Sequence, residues 1–169
     1  CSEMLTATAM GYFDAEISKA VVLALFVPLI ISSGGNSGSQ AASLIIRSLA
    51  LNELRPRNWW YVMKKEIFSG IILGAILAII GFMRILIWQE AGIFDYGEYW
   101  SWVAASIAVS LIFVVLWGTL VGSMIPLILK RAGLDPATAS APFVATLVDV
   151  TGLIIYFSVA ALLLAGKLL

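Results

Sequence analysis

Residues 142–156 read P-F-V-A-T-L-V-D-V-T-G-L-I-I-Y, Pro142 to Tyr156, and lie inside an apolar run from Ala141 to Gly166 in which Asp149 is the only charge. A run of about 25 such residues is long enough to cross a bilayer as a helix. A carboxylate near mid-membrane costs at least about 3 kcal/mol, so its default reading is a site on an ion or proton path.

The whole chain shares this character. Of its 169 residues 62% are hydrophobic and 12% charged, with a mean hydropathy of +1.03, far outside the range of a soluble domain. The expected fold is an all-α integral membrane protein. Net charge is zero and the basic residues sit in loops and at span ends, which does not suggest a nucleic-acid groove. With no histidine and one cysteine, the chain has no means for a His/Cys zinc site, an internal disulfide or an imidazole-dependent dyad. The reading is not an enzyme, and only oxygen ligands remain for a metal. The chain starts at Cys1, and Leu5 to Phe13 resembles the tail of a span, so residues 1–169 are expected to be one transmembrane pore domain whose first span is truncated.

The first complete span, about Ile17 to Ala50, is interrupted by S-S-G-G-N-S-G-S-Q at Ser32 to Gln40. Glycines weaken a helix there and polar groups reach membrane depth, so the segment should face protein or water. Three readings compete: close packing of helices on small residues, a hydrated conduit lined by carbonyls and the Asn36 and Gln40 amides, or a loop between two short spans. No lysine follows the glycines in the Walker pattern.

The remaining loops set a sidedness. The connector Arg47 to Glu66 is basic and reads as cytoplasmic, with Trp59, Trp60 and Tyr61 as interfacial anchors and Pro56 breaking the helix. The second span, about Ile67 to Trp88, has the small pair Gly70/Gly74, and Arg84 near its end is placed to snorkel rather than to line a pore. Loop 89–99 holds Glu90, Asp95 and Glu98 without a basic residue and belongs outside. A third span, Trp100 to Leu129, carries Gly118, Gly122 and a kinking Pro126, and ends at Lys130 and Arg131, which mark the inside again. Loop 130–140 is thus cytoplasmic. Its Asp135 reads as a capping residue, with a cation contact at the inner mouth as the alternative. The prediction is four complete antiparallel helices plus the tail of a fifth.

On this topology Asp149 lies roughly 13 Å and Asn36 roughly 16 Å from the cytoplasmic ends of their helices, so the two can meet in one layer. Pro28 and Pro142 each precede them and are expected to free carbonyls, hard oxygen ligands suited to Mg²⁺, Ca²⁺ or Mn²⁺. Ala145, Thr146, Gly152 and Leu153 flank Asp149 at helical spacing and leave room for water. One carboxylate does not cage a divalent ion, whereas two related Asp149 side chains would suit a hydrated Mg²⁺, which favours a dimer. The alternative is that Asp149 bonds to groups within one subunit.

Three stretches, P-L-I-I-S-S-G-G-N-S-G-S-Q at Pro28, A-S-L-I-I-R-S-L-A at Ala42, and D-P-A at Asp135 with P-F-V-A-T-L-V-D-V-T-G-L at Pro142, resemble the transmembrane domain of the MgtE magnesium channels. The resemblance implies a homodimer with five helices per subunit and a central pore. The reading that follows is passive Mg²⁺ entry into the cytoplasm across the inner membrane, with Mn²⁺, Co²⁺ or Ca²⁺ as further candidate ions. The resemblance also implies that Asp149 and the Ala145 carbonyl hold a hydrated ion. Pro28, Gly34, Gly35, Asn36, Gly38, Gln40, Pro142 and Thr146 would line the pore, with Asp135 a contact at the inner mouth. It further implies cytosolic CBS-type regulatory domains, absent from this chain. Similar sequences often carry Asn before Pro142, where Ala141 stands here. A secondary carrier coupled to H⁺ or Na⁺ and a purely structural subunit are the competing readings.

Overall fold

The computed structural model describes residues 2–14, 21–138 and 141–166, so the expected span start at Ile17, the connector end at Ser140 and the span end near Lys167 lie outside the described residues. Among the described residues five α-helices follow in order: α1 (Ser2–Tyr12), α2 (Val27–Ala50), α3 (Trp59–Glu90), α4 (Trp100–Arg131) and α5 (Ala141–Leu164). A 3₁₀ segment, Val21–Phe26, leads into α2. Four of the described helical stretches are long and apolar enough to cross a membrane.

Three of the helices stop in the same way. Beyond α3 and α4, Gly92 and Gly133 take positive φ, and beyond α2 Asn52 does so. The amides of Ile93, Leu134 and Glu53 then reach back to the carbonyls of Trp88, Leu129 and Ser48 at 3.0, 2.9 and 3.0 Å. Left-handed backbone at this position satisfies the last carbonyls, and only Gly or Asn adopts it at little cost.

The second helix corrects the expected boundaries. It begins at Trp59, not Ile67, so the break between α2 and α3 covers 51–58 rather than 47–66. Val62 is the reason: it is buried with Ile45, Leu49 and Leu127, which rewards an extra two turns of helix, while Lys64 and Lys65 stay exposed. Pro56 does interrupt the chain, at the start of a short 3₁₀ turn. Pro28 and Pro142 depart from expectation. Each sits in the first turn of its helix, where a missing N–H loses no helical bond, so they start α2 and α5 rather than break them.

Helix α4 is the hub, packing on α2, α3 and α5, while α2 also packs on α5 and α1 on α5. Its Val103, Ile107, Leu111 and Val114 are wholly buried. Where α2 crosses α4, Gly34 meets Gly118 and Gly38 meets Gly122, backbone against backbone. Against α5 the numbering of α2 runs the other way: the Tyr156 hydroxyl donates to the Leu23 carbonyl at 2.8 Å, Gly34 faces Val148, and the Ser39 hydroxyl donates to the Ala141 carbonyl at 3.1 Å. Loop 91–99 folds over the bundle end, where Asp95 accepts from the Gly97 amide at 2.8 Å and Tyr96 is buried beside Phe26. The Gly97 and Gln89 donors hold the Asp95 carboxyl below the usual carboxylate range.

Ser106 and Ser110, one turn apart on α4, are fully buried, and their hydroxyls find no partner among the described residues. Because an unpaired buried hydroxyl costs about 1–3 kcal/mol, Ser110→Ala and Ser106→Ala should leave stability unchanged or raise it by about 1 kcal/mol each. Thermal midpoints of the detergent-solubilised variants check this, and a clear fall would mean that the hydroxyls are engaged.

Candidate functional site

The exposed faces of the bundle differ in chemistry. Along α3 the outward side chains between Phe68 and Ile87 are apolar apart from Ser69 and Arg84, and include Phe68, Ile72, Ile76, Ile80, Met83 and Ile87. Along α2 the exposed positions from Pro28 to Ser43 are Pro28, Ser32, Asn36, Gln40 and Ser43, a stripe at four- and three-residue spacing that Leu44 and Arg47 follow towards the helix end. Its members bond within the helix: the Asn36 amide donates to the Ser32 hydroxyl at 3.1 Å, and the Ser43 hydroxyl to the Ser39 carbonyl at 2.9 Å. Ser39, Gln40, Ser43 and Leu44 line a shallow depression of about 400 Å³ on this side.

The Ser32–Gln40 run therefore divides between two of its readings. Helix α2 passes through it unbroken, which removes the loop reading. Gly34 and Gly38 turn inward, against Val114, Val144, Val148 and the α4 backbone. They are packing glycines in this subunit, where the resemblance implies a place on the pore wall. Ser37 is buried too, its hydroxyl donating to the Ser33 carbonyl at 2.7 Å. A continuous helix also keeps its carbonyls in use, contrary to the expectation of exposed backbone oxygens.

Gly35 faces a third way, towards α5. A Cβ built on it would collide with Oδ1 of Asp149 and stand 3.8 Å from the Ala145 Cβ. The half-buried Asp149 thus fills the place a side chain at position 35 would occupy, and Asn36, the next residue after Gly35, is exposed on the outer stripe. Among the described residues no hydrogen bond or ion pair engages the Asp149 carboxylate, so the alternative of bonding within one subunit finds no partner. Nor do three or more His, Cys, Asp or Glu side chains gather anywhere among them. Thr146, half-buried one turn before Asp149, donates its hydroxyl to the Pro142 carbonyl at 2.9 Å. Ala145 is half-buried at the same crossing, and Pro142 is exposed.

Asp135 caps its turn. Its carboxylate accepts from the Ala137 amide at 2.9 Å, and its carbonyl from the Thr138 hydroxyl at 2.7 Å. Ser43 joins the picture without having been singled out in the sequence, and Ser32 and Ser39, counted there only among the polar groups of the run, take places on the helix. The signal for them is the spacing Ser32, Asn36, Gln40, which shows once the run is read as helix.

Gly35→Ala should fold, since the group it displaces is a carboxylate free to rotate, while shifting Asp149 from its place. We expect cation flux to fall severalfold with the thermal midpoint nearly unchanged. Unaltered flux would separate Gly35 from the site.

A family model described as a divalent cation transporter, MgtE, matches residues 27–159. The chain is 40% identical over 161 residues to the magnesium transporter MgtE of Thermus thermophilus, covering 95% of this chain and 34% of that protein. It is 31% identical over 157 residues to the magnesium transporter MgtE of Bacillus subtilis, and 29% identical over 159 residues to that of Enterococcus faecalis, covering 33% of each. The chain spans about a third of the length of these relatives.

Proposed function

Because the chain belongs to the MgtE family of divalent cation transporters, we propose that it is the pore-forming membrane unit of a Mg²⁺ channel, made by two copies meeting on the polar stripe of α2 and the Asp149 side of α5. The observation that carries this reading is the contrast between the two exposed faces. Lipid can cover α3, but Ser32, Asn36, Gln40 and Asp149 at membrane depth need water or protein against them. A second copy supplies both, since it closes the stripe off from lipid and leaves a hydrated cleft between like faces.

In this arrangement the two Asp149 carboxylates face one cleft. Mg²⁺ gives up its waters reluctantly and is held well through one or two carboxylates with water retained, which fits a site that has one such group per copy. Two like charges at one level repel unless a cation stands between them, so ion and dimer stabilise each other. The Asn36 and Gln40 amides and the Ala145 carbonyl supply oxygens towards the hydration shell, and Asp135 lies at the inner mouth. The helices cross the inner membrane in antiparallel order, with the break 51–58 and the connector after Arg131 in the cytoplasm and loop 91–99 outside. The rest of the length of the relatives leaves room for cytosolic regulatory domains of the CBS type.

An inside-negative potential supplies about 4.6 kcal/mol per 100 mV for a divalent cation, enough for passive entry. The test is Mg²⁺ uptake into liposomes holding this chain under an imposed inside-negative potential, without a pH or Na⁺ gradient. Uptake supports the channel. Uptake that waits on a second gradient would replace it with a coupled carrier.

A further inference from the structure

At the bundle end that carries Arg47, Arg57 and Arg131, the first turns of α3 and the last turns of α4 line two adjoining cavities. One, of about 350 Å³, is apolar, lined by Met63, Met124, Leu127 and Ile128 with Pro56 and Trp59, and Arg131 stands at its border. The other, of about 360 Å³, is lined by Arg57 and Arg131 together with Pro56 and Trp59. Three residues line both, so the two form one continuous groove with a cationic mouth and an apolar floor.

No carboxylate among the described residues lines either cavity, whereas Glu53 and Glu66 at the same bundle end line a separate one with Lys65. The mouth is therefore positive without local neutralisation. Asn58, which precedes α3, makes no side-chain cap, so the first amides of that helix add to the attraction for an anion. The apolar part runs from the level of Arg131 back to Met124, seven residues or roughly 10 Å along α4 towards the bilayer interior. Its outer wall is open, since Trp59 and Ile128 are exposed by 43% and 63%.

We propose that this groove binds one anionic glycerophospholipid, its phosphate between Arg57 and Arg131 and an acyl chain along Met63, Met124 and Ile128. Charge complementarity selects the headgroup, and the order of polar and apolar parts along the membrane normal matches a lipid lying in its own leaflet. A soluble phosphate uses only the mouth and leaves the floor exposed. The assignment rests on the bundle spanning a membrane as proposed above. The orientation decides only which leaflet supplies the lipid.

The experiment places the chain in nanodiscs of phosphatidylcholine with a minor fraction of phosphatidylglycerol and follows lipid retained through gentle delipidation by native mass spectrometry. Phosphatidylglycerol should be retained in preference to phosphatidylcholine. Arg57→Gln with Arg131→Gln should lower that retention about 25-fold, taking about fivefold for each arginine at a membrane surface. Ile128→Trp, which fills the floor and leaves the charges alone, should lower it as well. Arg57→Lys with Arg131→Lys should keep most of it, which guards against loss through misfolding. Equal retention of both lipids, or no loss in the glutamine and tryptophan variants, overturns the proposal. So does displacement of the lipid by glycerol phosphate, which would reduce the site to an anion contact, or by an acidic amphipathic peptide, which would make it a peptide groove. None of these readouts measures ion flux, so the lipid site and the ion site stand or fall separately.

Discussion

Asp149→Asn abolishes potential-driven Mg²⁺ uptake while leaving the fold intact: this is the largest functional effect we expect. The substitution keeps the volume of the side chain and removes its charge. At a separation near 4 Å a unit charge pair is worth about 1 kcal/mol even at the dielectric constant of water, and about 2 kcal/mol for a divalent ion, rising severalfold in a less polar cleft. Uptake should therefore fall at least about 30-fold. Stability has no reason to fall with it, because no hydrogen bond or ion pair engages the carboxylate among the described residues, and Gly35 leaves space for the amide. Size-exclusion profiles and thermal midpoints of the two proteins should coincide. If the asparagine variant conducts as well as wild type, Asp149 is not the site, and a structural role for the chain gains ground.

Gly122→Val has the largest expected effect on stability. A Cβ at position 122 would run into the Gly38 carbonyl oxygen and lie 2.9 and 3.0 Å from the Gly38 carbonyl carbon and Cα. One turn away, a Cβ at Gly118 would stand 2.5 Å from the Gly34 carbonyl oxygen. Both neighbours are backbone, so no rotamer change relieves the contact, and α2 and α4 must move apart. Overpacking of this kind costs typically 1–3 kcal/mol, and a branched side chain meeting fixed backbone belongs at or beyond about 3 kcal/mol. Gly122→Ala should show a smaller loss in the same direction. Gly81→Ala is the control, since its Cβ would meet only the Leu111 Cδ1 at 3.2 Å and the Ile107 Cγ2 at 3.9 Å, ends of side chains that can yield. Fluorescence-detected chromatography after graded heating would rank the three variants. A Gly122→Val midpoint equal to that of Gly81→Ala would show that α2 and α4 do not meet as described. The site would feel the same displacement, because Gly35 and Asp149 face each other across the next crossing of α2.

What the sequence by itself determined about this chain is whatever depends on local composition. Transfer into a membrane is close to a sum over residues, so the apolar stretches identified the long helices. The lone charge of the last stretch singled out Asp149. Proline and glycine chemistry is local as well, and it placed the break at Pro56, though not its width. The motifs around Asn36 and Asp149 together carried the resemblance to MgtE, which the match over residues 27–159 bears out.

Only the tertiary structure decided which way each residue faces. Within Ser32–Gln40 the composition is uniform, small and polar, and admits packing and lining equally. The rotation of α2 against α4 and α5 turns Gly34 and Gly38 inward, Asn36 and Gln40 outward, and Gly35 to Asp149. That rotation is set by contacts with backbone about 80 positions away and with side chains about 110 positions away, which no local pattern encodes. Helix for Trp59–Glu66 likewise follows from the burial of Val62 against Leu127 on another helix. Arg57 and Arg131, which share one groove, come together only because α3 and α4 pack. Partition into a membrane reads composition, whereas packing reads shape, and shape at these crossings exists only once the helices have met.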